Sequence, residues 1–137
     1  MAQFYLLSVL ANMIAGLTLA GDYLGERLPF LASFKNLRAN KAAQTIIAVL
    51  AVAVGIVKLI VLSPGENIPV VGDILPALTG ILLGALLLVE AYRPTVESRG
   101  ESLEKLSRTV LTYRVPVGIA GVVIALVHFL FPAAVVL

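Results

Sequence analysis

The sequence predicts an all-α integral membrane protein with four transmembrane helices, built as a tandem duplication of a two-helix unit. Three observations predict this: the composition, four long apolar blocks and an internal repeat. Of the 137 residues, 60% are hydrophobic and 13% are charged, whereas soluble domains are nearer half apolar and a quarter charged. The apolar residues are concentrated in four blocks, near 4–21, 42–62, 74–92 and 115–131.

Each apolar block is long enough to be a membrane span. About 20 apolar residues in a helix cross a hydrocarbon core about 30 Å thick, and slightly shorter blocks span it with flanking turns. The four spans and their loops use nearly the whole chain, so we expect a single membrane domain, 1–137. The first block lacks the basic start of a signal peptide and is expected to be mature structure.

The basic residues predict the topology. Nine of the ten lysines and arginines lie in two loops, 22–41 and 93–114. The positive-inside rule places such loops in the cytoplasm. We therefore expect a protein of the cytoplasmic membrane with both termini outside. A net charge of +2 gives no indication of a nucleic-acid partner.

The sequence offers little for catalysis or metal binding. It contains no cysteine and one histidine, which excludes a disulfide, a thiolate nucleophile and a cysteine metal site. No glycine-rich phosphate loop and no acid–base pair deep in a span is present. We expect no catalytic residue, no metal, no cofactor and no enzymatic activity.

The internal repeat joins the two halves of the chain, about 1–68 and 69–137. With an offset of 68, Gly16 aligns with Gly84 and Asp22 with Glu90; a two-residue insertion then changes the offset to 70. The second offset aligns four further pairs: Lys35 with Lys105, Arg38 with Arg108, Gln44 with Arg114, and Lys58 with His128. Each half is helix, basic loop, helix, which predicts parallel repeats about an axis along the membrane normal.

Both basic loops are expected to form short amphipathic helices on the cytoplasmic side. In the first loop apolar residues recur every three positions, and in the second Glu and Lys or Arg alternate at i, i+4. Basic side chains on such helices meet anionic lipid headgroups. The predicted headgroup contacts are Lys35, Arg38, Lys105 and Arg108. The alternative is a short helix packed beneath the bundle.

Lys58 and His128 are the main candidate residues, because each is an ionisable group inside an apolar block. A lysine at a helix centre costs about 2.5–3.5 kcal/mol on insertion scales, and such residues usually face the bundle interior. Histidine titrates near neutral pH and can shuttle protons. One alternative is that Lys58 snorkels to the outer surface and pairs with Asp73 or Glu66. The other is that His128 packs at the outer interface and forms a hydrogen bond to a backbone carbonyl.

Four further polar residues are candidates for a path or binding site: Asn12, Asp22, Asp73 and Glu90. Asp22 and Glu90 end spans one and three, where they form a symmetric pair or balance the neighbouring Arg27 and Arg93. Asn12 lies well inside span one, where it either contacts a ligand or joins two helices by a hydrogen bond.

These features predict a homo-oligomeric transporter or channel for a small solute or ion. Lys58 and His128 would line the outer half of the path, with Asp22 and Glu90 at its inner mouth. The alternative is a non-catalytic accessory, assembly or scaffold subunit of a membrane complex. The expected partners are the lipid bilayer and either further copies of the chain or another membrane protein.

Overall fold

The computed structural model describes residues 2–61, 70–92 and 100–131, and this part of the chain is helical with no strand. A short 3₁₀ turn, Pro29–Leu31, separates α2 from α3. The helices are α1 (Ala2–Leu19), α2 (Gly21–Arg27), α3 (Ala32–Ala39), α4 (Lys41–Val61), α5 (Val70–Ala91) and α6 (Glu101–Leu130).

Several of these helices are long and apolar enough to cross a membrane. Lys41–Ile60, Ile74–Ala91 and Thr112–Leu130 qualify singly, and α1 with α2 qualifies as a fourth, bent pair. The bend between α1 and α2 is 80°, so α2 turns across the end of the bundle. Three of the four predicted apolar blocks therefore coincide with single helices of spanning length, whereas the first block coincides with α1, which qualifies only together with α2.

The second basic loop differs from its prediction. A surface helix and a separate last span were expected, but the two are one continuous helix, α6, of 30 residues. Pro116, the second residue of the apolar block 115–131, lies inside this helix. Proline removes one backbone donor, but its fixed φ near −65° is already helical, and helices of this apolar kind tolerate it.

Two close glycine contacts hold the helices together in pairs. A methyl group on Gly16 of α1 would lie 2.7 Å from the carbonyl oxygen of Gly118 on α6, and one on Gly84 of α5 would lie 2.6 Å from that of Ala48 on α4. Only glycine permits helix backbones to approach so closely. Under the offsets of 68 and 70, Gly16 corresponds to Gly84 and Gly118 to Ala48. The two contacts are therefore equivalent positions in the two halves.

The buried core follows the same correspondence. Ala15 and Leu83 are equivalent under the offset of 68, as are Leu19 and Leu87. All four are at most 1% exposed. They form one cluster with the small residues of α4, Ala48 and Ala51.

The outer surface of the bundle is apolar. In α4, Ile46, Leu50 and Ile60 are more than half exposed. Only 22% of the candidate span in this helix, Lys41–Ile60, is buried. An exposed apolar surface of this extent is typical of a helix that faces lipid or another protein.

Asn40 separates α3 from α4 and sets the bend between them. Its backbone is extended, with φ −90° and ψ 107°, and its side-chain oxygen accepts hydrogen bonds from the backbone N–H groups of Ala42 (3.0 Å) and Ala43 (3.2 Å). Asparagine is a favoured N-cap because it satisfies donors that a helix start leaves open. The cap therefore starts α4 and lets α3 fold back toward α2.

Candidate functional site: two polar clusters at opposite ends of the bundle

The first cluster, called here the Lys58 cluster, consists of Tyr5, Lys58 and His128. These residues lie near the start of α1 and near the ends of α4 and α6. Lys58 Nζ is 3.2 Å from His128 Nε2, and His128 is only 3% exposed. The structure thus brings together the two ionisable residues that the repeat aligns.

Tyr5 is the member of this cluster that sequence reasoning missed. Its hydroxyl donates a hydrogen bond to the backbone carbonyl oxygen of His128. Its ring centroid is 4.8 Å from that of the imidazole, and Lys58 Nζ lies 5.9 Å from the Tyr5 centroid. The sequence offered one indication, the expected depth of Tyr5. An aromatic residue near the start of span one lies at the depth predicted for His128.

The Lys58 cluster allows a hydrogen bond between two side-chain nitrogens. An ammonium group has only donors, whereas a neutral imidazole has one donor and one acceptor. At 3.2 Å the ammonium donates to Nε2 in one tautomer of the imidazole.

The alternative partners proposed for Lys58 fall mainly outside the described side chains. Glu66 lies outside the described residues. Asp73 belongs to α5, but its side chain is outside the described part of the chain. Lys58 itself is half-buried, and its ammonium group reaches His128 within the bundle.

The second cluster, called here the Glu90 cluster, lies at the opposite end and draws on five elements. Its carboxylates are Asp22 of α2 and Glu90 of α5, and its cations are Arg38 of α3 and Arg114 of α6. Arg38 bonds both carboxylates. Arg114 also bonds both, with 2.8 Å from Nη1 to Glu90 Oε1 and 3.3 Å from Nη2 to Asp22 Oδ2. Gln44 of α4 donates to Glu90 Oε2 at 3.2 Å.

The Glu90 cluster is balanced in charge and partly shielded from solvent. Two carboxylates meet two guanidinium groups, and the Glu90 side chain is 8% exposed. Bonds between charged groups in such surroundings are stronger than those between neutral groups. The cluster therefore joins the ends of three long helices, α4, α5 and α6, to the short helices α2 and α3.

Asp22 and Glu90 are thus brought together, and their described ionic partners are Arg38 and Arg114. Arg27 instead places its guanidinium carbon 3.8 Å from the Tyr23 ring centroid. Arg93 lies outside the described residues.

The predicted headgroup residues take two different positions. Lys35, Lys105 and Arg108 are exposed, as a headgroup contact requires. Arg38 is an exception, because its side chain is 16% exposed and is enclosed by Asp22 and Glu90. The physical reason is the bend at Asn40, which turns α3 back over the carboxylates.

Asn12 joins two helices in the middle of the bundle. It is 2% exposed, and its Nδ2 donates to the carbonyl oxygen of Pro76 at 2.8 Å. A methyl group on Gly80 would lie 2.6 Å from Asn12 Oδ1, so α5 leaves room for this side chain. The offset of 68 aligns Asn12 with Gly80, so an axis that relates the two halves would pass close to this contact.

Core side chains separate the two clusters. Along α1, α4 and α5, the buried core residues lie at levels between the two ends. Gln44 and Lys58 are 14 positions apart on α4, or about 21 Å at 1.5 Å per residue. Within the described ranges, no three His, Asp or Glu side chains are grouped so as to hold a metal ion.

A protein-family model matches residues 1–128, and the function of that family is not established. No curated protein and no solved structure matches the chain.

Proposed function

We propose that this chain, which belongs to the family matched over residues 1–128, is a four-span membrane protein that moves a small ion, the proton, as a homo-oligomer. The single observation that carries the proposal is the 3.2 Å separation of Lys58 Nζ and His128 Nε2. Ionisable residues within apolar helices are costly and commonly mark ion or proton pathways.

The helix lengths and surfaces support the membrane part of the proposal. Three single helices and one bent pair have spanning length and composition, and their outward residues are apolar. The positive-inside rule then assigns the Glu90 cluster to the cytoplasmic end and the Lys58 cluster to the outer end.

The duplication is part of the same proposal. Equivalent residues form the Gly16–Gly118 and Gly84–Ala48 contacts, and equivalent residues meet in the Lys58 cluster. Two copies of one ancestral helix–loop–helix unit, packed about a shared axis, produce paired contacts of this kind.

A homo-oligomer is proposed because one bundle is filled. Leu19, Leu83 and Leu87 are at most 1% exposed and occupy the levels between the two clusters. A continuous path therefore requires either a rearranged bundle or a surface shared between copies. The exposed apolar face of α4 is available for the second arrangement.

Proton flux into liposomes tests the proposal directly. Purified protein is reconstituted with a trapped pH-sensitive dye, and flux is driven by a potassium gradient with valinomycin. We expect flux above that of empty liposomes, reduced at least tenfold by Lys58→Leu combined with His128→Leu. The matched control is Lys35→Leu, an exposed lysine at the other end, which should retain wild-type flux.

Two results would overturn the proposal. Absence of proton flux from wild-type protein that is folded and inserted excludes proton movement. Flux that is unchanged in the double variant removes Lys58 and His128 from the path.

One observation favours a second function, that of a non-catalytic accessory or assembly subunit. The filled core and the ionic closure of the Glu90 end suit a bundle that only binds another membrane protein. In that case, purification from native membranes in mild detergent yields a partner in fixed stoichiometry, and the reconstituted chain alone carries no protons.

A further inference from the structure

The two halves have different shapes at equivalent positions of their basic segments. In the first half the helix breaks at Asn40, between α3 and α4. The equivalent residue under the offset of 70 is Val110, which lies inside the continuous helix α6. As a result, Arg38 is enclosed in the Glu90 cluster, whereas its equivalent Arg108 is 76% exposed.

From this asymmetry we infer that the second half can take the bent shape of the first, and that Arg108 then replaces Arg38 between the carboxylates of Asp22 and Glu90. The Glu90 cluster would be a two-position ionic lock. One position is the arrangement in the structure, and the other is its counterpart with the roles of the two halves exchanged.

The carboxylates suit either arginine. Asp22 and Glu90 are equivalent residues, one from each half, and Arg38 bonds both of them. Arg108 carries the same planar guanidinium group, which binds carboxylates in the same way. If the second half bends as the first does, its aligned residues take equivalent positions. Arg108 then approaches Glu90 as Arg38 approaches Asp22.

Few described side chains hold the straight shape of the second half at this point: Val110 is buried, at 7% exposed, but the other described side chains of 101–112 are exposed. Arg108 Nη2 bonds Glu104 Oε1 at 2.6 Å, but both side chains are largely exposed, and exposed pairs of this spacing contribute little. Thr109 and Thr112 donate to the carbonyl oxygens of Lys105 and Arg108, both at 2.9 Å. Such bonds to the preceding turn slightly destabilise and often bend helices.

The residue at the break explains why the two halves differ. Asn40 caps α4 through its side-chain oxygen, whereas Val110 has no polar atom to cap a new helix start. The bent shape is therefore stabilised in the first half, and the straight shape is favoured in the second. Replacing Val110 by asparagine supplies the missing cap and should favour the bent shape.

Dipolar EPR on the full chain in lipid nanodiscs tests the inference. The sequence has no cysteine, so spin labels can be placed at Ser102→Cys with Thr112→Cys, both exposed. Ten residues of continuous helix separate them by about 15 Å along the axis. The matched control is the equivalent exposed pair, Ala32→Cys with Ala42→Cys, which reports the distance across a bend.

In Val110→Asn we expect a second population of molecules, in which the 102/112 distance equals that of the 32/42 control pair. Adding Arg38→Gln should enlarge this population. Adding Arg108→Gln to both should remove the gain. A single unchanged distance in Val110→Asn and in the double variant would overturn the inference. Val110→Asn changes no residue of the Glu90 cluster, so its result can be read even if Arg38→Gln fails to fold.

Neither shape of the second half depends on proton movement. The EPR result therefore stands apart from the flux experiment, and either can fail alone.

Discussion

Lys58 and His128 stand 70 positions apart in the chain, yet their Nζ and Nε2 atoms lie 3.2 Å apart. The same 70 positions separate Gln44 and Arg114, which both bond Glu90 at the other end. Residues that the offset of 70 aligns are therefore brought together at both ends of the bundle.

The Tyr5 hydroxyl should stabilise the Lys58 cluster. Tyr5→Phe removes its hydrogen bond to the His128 carbonyl but keeps the ring contact, so we expect a loss of about 1 kcal/mol in the free energy of unfolding. Thermal unfolding in detergent measures this loss. Tyr113→Phe, at an exposed position of α6, is the control and should change nothing; equal effects at the two tyrosines would contradict the assignment.

Gly16 and Gly84 should be equally intolerant of a methyl group. Alanine at either position would put a Cβ within 2.7 Å of a facing carbonyl oxygen, so the paired helices must separate. We expect each substitution to cost about 1–3 kcal/mol, as overpacking usually does. Gly25→Ala is the control, because the nearest atom there is 3.4 Å away, and it should be neutral or slightly stabilising. A tolerated alanine at Gly16 or Gly84 would count against the close helix contacts.

Substitution of Glu90 should cost more stability than substitution of an exposed glutamate. Glu90→Gln weakens the bonds to Arg38 and Arg114 while leaving both guanidinium groups in place, and we expect a loss of about 2–3 kcal/mol. The control is Glu104→Gln, which breaks an exposed pair with Arg108 worth at most about 1 kcal/mol. Chemical denaturation in detergent compares the two, and similar losses would show that the cluster contributes no more than a surface pair.

The predicted topology can be checked by thiol labelling, because the chain has no cysteine. We expect Gln3→Cys to react with a membrane-impermeant maleimide in intact cells and Lys35→Cys to react only after permeabilisation. Both positions are exposed, so access to the reagent depends on the side of the membrane. Labelling of both cysteines in intact cells would contradict the assignment of ends.

The helices themselves were predictable from the apolar blocks, because an unbroken apolar run of this length has few alternatives to a helix. The breaks were less predictable. The extended backbone of Asn40 ends α3 and its side chain caps α4, whereas Pro116, the stronger sequence signal, lies inside α6. Proline's φ is compatible with a helix, so it predicts a possible break and not a certain one.

The candidate site was predictable only as far as the repeat extends. The alignment of Lys58 with His128 identified a shared level, and their contact followed from the packing of the two halves. Arg38 was assigned to the headgroups because amphipathic spacing cannot show a helix folding back. Tyr5 belongs to α1 and has no aligned aromatic partner, so periodicity alone gave no reason to select it.

The contact between Lys58 and His128 is tested most directly by solid-state NMR of the chain in lipid bilayers, with ¹⁵N-labelled histidine and lysine side chains. His128 is the single histidine, so its imidazole signals need no assignment. The 3.2 Å contact between Lys58 and His128 predicts a ¹⁵N–¹⁵N cross-peak between Nε2 and one lysine Nζ, which disappears in Lys58→Leu. Imidazole signals with no lysine correlation in the wild-type protein would contradict it.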